Sequence, residues 1–487
     1  MKTDMPDKEN VMKKVMAIIL TVVIATACVG NYLFRQSVDA KSKQTTEISN
    51  TDIEMTVGEV FKLEVKGKKI SKVIWKSSDK KLASVDKNGR VIAKKQGNVV
   101  ITAKVKVGGK IAKEKHTCDI IISSKMENEK ARNETLKRTA RLIDAFESDS
   151  NILVSPISLN MVLGMAANSG DKTVRKQVEQ YLGTDIDAYN EYMFSLIKYS
   201  KKHKTFTTAN SIWYDKAYKL RKNFKKNVTR YYRAGVHREP MNRSTIKKIN
   251  RWAERKTDGM IKKAMEDDGS KKFAIVLNAS FFDGKWTKKF KKEDTMEEDF
   301  TNADGTLKTV DMMNSKEGTY FENDYATAFE KTYGKNKEYS FIGILPKKIG
   351  QFTLEEMDLP SLMKSMVKTD VLIKMPRMDY EWDSDDKTVN ENNLTEVLNN
   401  LKMPALSKCN ILKNFHEDYE TDFLQKTKIK VDENGTKAAA VTVMFMKVNG
   451  VLPDNEPKRV YLDRPFAFFI RDNETGEILF IGKYMGN

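Results

Sequence analysis

Hydrophobic and polar positions follow different rhythms in successive parts of this 487-residue chain. An uncharged, mainly apolar run fills residues 15–34, and a polar stretch leads on from it. Short apolar alternations broken by turn residues occupy positions 52–123, whereas residues 124–487 mix helical and strand periodicities. These changes predict a multidomain protein divided at 1–40, 41–51, 52–123 and 124–487.

The amino-terminal apolar run has the length and the flanking charges of a membrane-targeting segment. It is about twenty residues long, enough for a helix to span a bilayer core of roughly 30 Å, and four lysines precede it: Lys2, Lys8, Lys13 and Lys14. Three fates compete: an uncleaved signal-anchor helix, a signal cut after Ala40, and a lipoprotein signal ending at Cys28. Each fate places the rest of the chain outside the cytoplasm, secreted or anchored at the cell surface.

Turn signals recur at short intervals between positions 52 and 123. They fall at Gly58, Gly67, Gly89, Gly97 and Gly109, and the stretches between them are short and rich in valine and isoleucine. This regular spacing of short strands and turns predicts a small all-β sandwich. Nothing in the segment has a catalytic pattern.

A strand pattern joined to a loop pattern lies near the carboxyl end. Small or apolar residues recur at every second position: Thr436, Ala438, Ala440, Thr442 and Met444. The charged Lys437 falls on the opposite face, as a half-buried strand requires. Residues 446–457 contain two prolines, a glycine and scattered charge, which indicate an exposed loop. The pattern therefore predicts a segment that could join a sheet.

Residues 435–442, Gly-Thr-Lys-Ala-Ala-Ala-Val-Thr, resemble the hinge of the serpin family. Other blocks are similar to serpin signatures in the same order along the chain: residues 151–158, 249–252, 276–286 and 463–472. The resemblance extends over roughly residues 126–487. It implies an α+β serpin fold with a large central antiparallel sheet, surrounding helices and an exposed reactive loop.

Three stretches of the predicted β sandwich resemble the bacterial Ig-like group 2 domain: residues 73–79, 82–93 and 97–103. Such a domain between a targeting segment and a serpin-like body implies a spacer or a surface-adhesion module. The sequence contains no signal for its partner.

The serpin resemblance implies an inhibitor of the suicide type. A target protease cuts the loop and forms an acyl-enzyme, and the freed hinge then inserts into the sheet and carries the protease with it. Serine proteases are the expected targets, with some cysteine proteases as a further class. The hinge residues by resemblance are Gly435, Thr436, Lys437, Ala438, Ala439, Ala440, Val441 and Thr442. Lys437 stands where the family commonly has glutamate.

The resemblance also assigns residues to the region where the sheet opens and to the bond that is cut. The sheet-opening residues are Ser155, Ser158, Asn278, Trp286 and Gln425, the last standing where many animal serpins carry histidine. Counting along the loop from the hinge glycine places the reactive bond at Asn449-Gly450. Lys447-Val448 would suit trypsin-like proteases and Val448-Asn449 elastase-like or subtilisin-like ones, so these bonds stay open as alternatives.

The net charge of +19 comes from lysine spread through every region, and no nucleic-acid motif accompanies it. We therefore expect solvated faces and no nucleic-acid partner. A contact with an anionic cell surface or polyanion is a second interpretation. Its candidate residues are Lys247, Lys248, Arg255, Lys256, Lys262, Lys263, Lys271 and Lys272.

Conventional catalysis has little support in the sequence. The three cysteines fall in three different segments, and the four histidines stand apart from metal-ligand spacings. No nucleophile elbow, phosphate loop or dinucleotide fingerprint is present. We therefore expect that the protein is not an enzyme and that it binds neither a metal ion nor a cofactor. Two functions compete with inhibition: a serpin fold that binds without inhibiting, and an adhesin in which the Ig-like domain matters most.

Overall fold

The computed structural model describes residues 46–123, 128–267, 269, 272–386, 388–416, 421, 423, 425–436 and 457–486. The predicted targeting segment, residues 1–40, lies outside this part of the chain. Across the described residues, no helix has both the length and the apolar character that crossing a membrane requires.

Residues 46–123 form a β sandwich with a core of its own. Its strands are β1 (Thr46–Ile48), β2 (Asp52–Thr56), β3 (Val60–Lys62), β4 (Val65–Gly67), β5 (Ile70–Ser77), β6 (Ala83–Val85), β7 (Arg90–Ala93), β8 (Gly97–Val107) and β9 (Lys110–Ser123). Two sheets, ordered β2-β9-β8-β5 and β3-β7-β6, enclose Val91, Ile101 and Ile120. Strand β1 lies in the predicted linker 41–51 and pairs with β4, so this part of the linker belongs to the β unit.

The larger body begins with helices that pack around several sheets. They are α1 (Glu129–Asp144), α2 (Pro156–Ala166), α3 (Lys172–Leu182), α4 (Ile186–His203), α5 (Lys222–Tyr231), α6 (Arg243–Lys256), α7 (Leu359–Lys364) and α8 (Leu394–Asn400). Short 3-10 helices cover Lys292–Asp294 and Pro404–Lys408. Side-chain caps define several of the starts: Asn128 caps α1 and Asp171 caps α3.

The strands of the body are β10 (Ile152–Val154), β11 (Phe206–Asp215), β12 (Lys219–Leu220), β13 (Gly235–Glu239), β14 (Ala274–Phe282), β15 (Gly284–Lys285), β16 (Thr295–Thr301), β17 (Leu307–Glu317), β18 (Tyr320–Glu322), β19 (Ala326–Tyr333), β20 (Tyr339–Pro346), β21 (Val371–Pro376), β22 (Met378–Asp383), β23 (Leu412–Lys413), β24 (Lys426–Asp432), β25 (Gly435–Thr436), β26 (Lys458–Tyr461), β27 (Phe466–Asp472) and β28 (Ile478–Tyr484). A buried sheet has the order β10-β28-β27-β20-β19-β18, and a second has the order β16-β17-β21-β26. Two further sheets matter most for function: β13-β11-β14 and β15-β25-β24-β22.

Helix α2 lies between the sheet β13-β11-β14 and the buried sheet that contains β28. It is apolar on every side and almost wholly buried, which is the character of a helix inside a domain. Pro156 stands in its first turn, where an intrahelical N–H is not needed. The helix packs against β14 on one side and β28 on the other, so its amino-terminal residues lie where the sheets meet.

The β sandwich docks on the body through helix α4. Arg90 donates to the Asp187 carboxylate at 3.1 Å, and Lys94 forms a salt bridge with Glu191 at 3.3 Å. Both basic residues belong to or directly follow β7, in the smaller of the two sheets. Partly exposed pairs of this kind contribute about 0.2–1 kcal/mol each, so they set the orientation of the domain more than its stability.

Candidate functional site

A slot lies between strands β14 and β24. Strand β14 pairs with β11 on one side, and β24 pairs with β22 on its outer side. Within the described ranges, the facing edge of β14 has no strand partner, and β24 gains one only at its last residues. A cavity of about 680 Å³ separates the two strands, and both contribute to its lining. Unpaired strand edges present rows of N–H and C=O groups that a further strand can bind.

The first hinge residues, Gly435 and Thr436, already occupy the upper end of this slot. As β25 they pair antiparallel with Val431 and Asp432 of β24 on one side. On the other side they pair with Gly284 and Lys285 of β15. The remaining hinge residues follow directly along the chain, but residues 437–442 lie outside the described part of the chain.

Two glycines allow the strands to approach closely at this point. Gly435 has a φ of +156°, and a Cβ built on it would lie 2.1 Å from the Gly284 carbonyl oxygen. A Cβ on Gly284 would lie 2.5 Å from the ring of Phe282. A side chain at Gly435 would therefore push β25 away from β15, whereas a side chain at Gly284 would displace the Phe282 and Tyr333 rings.

Trp286 lies over the seated end of the hinge. Its backbone N–H donates to the Asn434 carbonyl at 3.0 Å, and its indole N–H donates to the Asp432 carbonyl at 2.9 Å. The indole stacks on Tyr333 with ring centroids 4.1 Å apart. A hydrogen bond of 2.7 Å then joins the Tyr333 hydroxyl and the Thr436 hydroxyl. Trp286 thus contacts the segment before the hinge directly and the first hinge side chain through Tyr333.

A buried lysine supports this aromatic group from below. Lys331 is only 1% exposed, and its ammonium lies 4.1 Å from the ring centroid of Phe290 and 5.5 Å from that of Trp286. Burial lowers the pKa of Lys331, and the paired carboxylate of Glu317 opposes that shift. Because a buried charge is costly without a partner, Glu317 holds the ammonium under the two rings.

A buried carboxylate, Glu433, anchors the chain just before the hinge. It accepts hydrogen bonds from the Arg377 guanidinium at 3.1 Å and from the Thr295 hydroxyl at 2.8 Å. Its backbone carbonyl accepts from the Phe290 N–H at 3.0 Å. Burial alone would raise the pKa of Glu433, but the hydrogen bonds from Arg377, from its own backbone N–H and from Thr295 outweigh it and lower that pKa. Sequence analysis missed this anchor.

We expect Glu433→Gln to lower the free energy of unfolding by about 2 kcal/mol at pH 7, because hydrogen bonds to a charged group contribute about that much. The folded-state pKa lies below the unfolded value of about 4.3, so the stabilisation is complete above that pH and is lost as pH falls through the folded pKa. Thermal melts of both proteins between pH 7 and pH 3.5 should therefore converge on acidification.

Asp311→Asn serves as the matched control for this experiment. Asp311 also pairs with Arg377, at 2.7 Å, but its side chain is 46% exposed. Its replacement should cost less than about 1 kcal/mol. An effect of Glu433→Gln that stays constant across the pH range would show that the ionised carboxylate is not the stabilising group.

At the lower end of the slot, Ser155, Ser158 and Gln425 form one hydrogen-bonded group. The Ser155 and Ser158 hydroxyls lie 2.8 Å apart, and the Ser155 hydroxyl donates to the Leu479 carbonyl at 2.8 Å. The Gln425 amide accepts from the Ser155 N–H at 2.8 Å and donates to the Ser155 carbonyl at 3.0 Å. Gln425 thus connects the start of β24 to the start of α2. Movement of β24 away from α2 would break both hydrogen bonds.

Asn278 belongs to a neighbouring group on the other side of the slot. From β14 its amide donates to the Asn210 side chain at 2.9 Å and to the Thr208 hydroxyl at 2.8 Å, both on β11. It also lies 3.2 Å from the Met161 sulfur on α2. The structure therefore brings Ser155, Ser158 and Gln425 together, whereas the Asn278 amide is directed toward β11.

The predicted reactive bond lies among residues 437–456, outside the described part of the chain. This covers Asn449-Gly450 and the alternatives Lys447-Val448 and Val448-Asn449. It also covers six of the hinge residues: Lys437, Ala438, Ala439, Ala440, Val441 and Thr442.

The described residues contain neither a metal-binding group of side chains nor an ionised thiol. No group of three or more histidine, cysteine, aspartate or glutamate side chains among them could hold a metal ion. Cys118 and Cys409 are buried free thiols, and burial raises the pKa of each to about 11. Both thiols are therefore protonated and unreactive near neutral pH.

Comparison with known proteins assigns both folded units. Residues 133–486 match the family model described as Serpin (serine protease inhibitor), and residues 36–115 match the Bacterial Ig-like domain (group 2). An uncharacterized serpin-like protein of Thermococcus kodakarensis is 28% identical over 358 residues, which cover 69% of this chain and 81% of that protein. Serpin B3 of Homo sapiens is 27% identical over 375 residues, covering 69% and 93%.

The fold also matches solved structures. The crystal structure of tengpin, a thermophilic serpin, in the native state aligns with a TM-score of 0.65 at 29% identity. The alignment covers 75% of this chain and 99% of tengpin. The latent state of tengpin aligns with a TM-score of 0.59 at 30% identity, covering 74% and 97%.

Proposed function

Because this chain belongs to the serpin family, whose members are generally protease inhibitors, we propose that it is an extracellular suicide inhibitor of serine proteases. One observation carries the proposal: the first two hinge residues are seated at the end of a slot with open strand edges. Cysteine proteases that attack through a thiolate form a comparable acyl-enzyme and are a second target class.

The mechanism follows from the geometry of the slot. The nucleophile of a target protease attacks a carbonyl in the loop, forms an acyl-enzyme ester and releases the new amino terminus on the carboxyl side. The hinge side remains bonded to the protease. Pairing then propagates from Thr436 along β14 and β24, and the attached protease moves with the strand before water can hydrolyse the ester.

The burial of Thr436 supports the alternation read from the sequence. Its side chain is 3% exposed and bonded to Tyr333. Because side chains alternate along a strand, Ala438, Ala440 and Thr442 would follow on the same inner face, and Lys437 would point to solvent. Strand β14 has nine residues and is therefore about 30 Å long. An inserted hinge strand needs the same length to pair along its whole edge.

The decisive experiment is complex formation with a panel of proteases. We expect a trypsin-like or an elastase-like enzyme to give a band that survives SDS and has the summed mass of inhibitor and protease, less the carboxyl-terminal fragment that the cut releases. The amino-terminal sequence of the fragment released on the carboxyl side identifies the cut bond among residues 447–450. Loop cleavage by every active enzyme without a covalent band would favour a binding protein without inhibitory function.

The same proposal places the protein outside the cytoplasm, held by its amino-terminal segment. We expect removal of residues 1–125 to leave the rate constant of inhibition within about threefold, because the described slot and hinge contacts lie entirely in the larger body. The truncated protein should no longer be retained at the surface. Cell fractionation combined with protease titration of both forms measures the two effects separately.

Loss of inhibition on truncation would show that the docked sandwich shapes the slot through α4. A matched control removes only residues 1–40 and keeps the sandwich. This variant should lose surface retention with no change in inhibition, and full-length protein found only in the medium would contradict an anchoring role for the segment.

A further inference from the structure

Five lysines cluster on the outer face of the larger sheet of the β sandwich: Lys72, Lys76, Lys104, Lys106 and Lys115. They lie on β5, β8 and β9, at positions that alternate with the buried residues of the sandwich. We call this surface the lysine face. None of the five forms a salt bridge with another residue that the structure describes.

The register of the strands places some of these lysines directly opposite one another. Lys72 of β5 is the partner of Lys106 of β8. Lys104 of β8 is the partner of Lys115 of β9. Like charges in directly opposed positions destabilise a sheet, so folding does not explain this arrangement.

Charge is also segregated along the same sheet. Three of its four acidic residues, Asp52, Glu54 and Asp119, lie toward the opposite end, where Asp52 and Asp119 are partners in the register of β2 and β9. The fourth, Glu114, directly precedes Lys115 in β9. The lysine end is the one that carries the turn at Gly108 and Gly109. A face used only for solvation has its signs interspersed, whereas a one-sign patch attracts and concentrates an oppositely charged partner.

The lysine face is separate from the surface by which the sandwich docks on the body. The docking residues Arg90 and Lys94 belong to or follow β7, in the other sheet. Docking therefore leaves the face available to a partner. This arrangement is independent of the slot and of inhibition.

We propose that the lysine face binds a linear, phosphate-bearing polymer that lacks nucleobases. Lysine ammonium groups act as point charges for phosphate. Their separations, roughly 6.5 Å along a strand and about 4.8 Å between strands, form a flat array suited to successive charges of a chain. Thr102 and Thr117 lie beside the lysines as neutral hydrogen-bond donors.

Two features argue against nucleic acid on this face. Its exposed apolar residues are aliphatic, Ile74 and Ile111, whereas Trp75 packs toward the core of the sandwich. Base stacking on single strands uses aromatic side chains, and adenine edges are read by asparagine or glutamine. The five positions carry lysine alone, which suits a backbone of phosphates without bases.

The test measures binding of the full chain to long-chain inorganic polyphosphate in a salt titration. The variant Lys72→Glu, Lys104→Glu, Lys115→Glu should bind at least 30-fold more weakly at 100 mM salt. The slope of log K against log salt should fall by about three, one for each lysine contact removed. Its thermal midpoint should change little, because Lys72→Glu converts one opposed lysine pair into a pair of opposite charges, whereas Lys104→Glu with Lys115→Glu only exchanges one like-charge pair for another.

A control variant changes the net charge equally at exposed lysines elsewhere on the sandwich: Lys80→Glu, Lys81→Glu, Lys87→Glu. It should bind within about threefold of the unmodified protein. Equal losses in both variants would assign binding to net charge and overturn the proposal. Tighter binding of single-stranded DNA than of polyphosphate, lost in the first variant, would identify a nucleic-acid surface instead. If the first variant is unfolded, Lys104→Gln with Lys106→Gln makes the same comparison, with a slope change of about two.

Discussion

Cleavage of the loop within residues 444–452 should raise the melting temperature of the serpin body by tens of degrees. Before cleavage, β14 and most of β24 lack a strand partner on their facing edges within the described residues. After cleavage, the hinge is free to pair with both edges and to fill the cavity of about 680 Å³. The inserted strand would add backbone hydrogen bonds and buried side chains that the uncleaved state does not have.

The size of the shift separates this transition from ordinary local effects. At about 2.1 cal/mol/K of unfolding entropy per residue, a 20 °C rise in a body of about 350 residues corresponds to about 15 kcal/mol. A typical point substitution changes stability by about 1 kcal/mol and would move the same midpoint by only one or two degrees. A rise of this size therefore requires a rearrangement on the scale of a whole strand.

Calorimetry or circular dichroism before and after a defined nick provides the measurement. The nick should be made by a protease that cuts the loop without being inhibited, so that no complex contributes to the signal. Identical melting curves would mean that the slot does not accept its own hinge. That result would favour a serpin fold that binds a partner without inhibiting.

The family and the two folded units were predictable from the sequence because their signals are local. The period-two pattern of the hinge is visible in eight consecutive residues, and both family resemblances are confirmed by the matching models. Strand periodicity and glycine turns likewise indicated the sandwich. The exception is β1, which has only three residues and is too short to show a periodicity.

The contacts that hold the hinge were not predictable, because they join residues far apart in sequence. Glu433 meets Arg377 and Thr295 only when the sheets β15-β25-β24-β22 and β16-β17-β21-β26 come together, and nothing around Glu433 in the sequence indicates burial. The contact of Arg90 with helix α4 likewise joins residues far apart in sequence and could not be predicted. The lysine face could not be predicted from the spacing of lysines along single strands, because the opposed pairs depend on the register between strands.

Gln425 illustrates how a substitution within a family pattern can be understood from structure. Many animal serpins carry histidine at this position. Here the glutamine side chain makes two hydrogen bonds to the backbone of Ser155, one as acceptor and one as donor. A neutral amide keeps both bonds at every physiological pH, whereas a histidine would change its pattern of donors on protonation.

The last prediction is that Thr436→Arg converts the protein from an inhibitor into a substrate. The Thr436 side chain is buried on the inner face and bonded to Tyr333 before cleavage, so an arginine there would not keep its place in β25. It would then have to be desolvated without a partner when the cleaved hinge inserts. A penalty of about 3 kcal/mol in the insertion step slows it more than 100-fold, and hydrolysis of the acyl-enzyme then wins. The number of inhibitor molecules consumed per protease should rise from near one to above ten.

The matched control is Lys437→Arg. The alternation places residue 437 on the solvent side, so the inhibitory stoichiometry of this variant should not change. Ala440→Arg tests the same inner face away from the Tyr333 contact, so it separates blocked insertion from damage to β25. An unchanged stoichiometry in both inner-face variants would rule out insertion of this hinge as the inhibitory step.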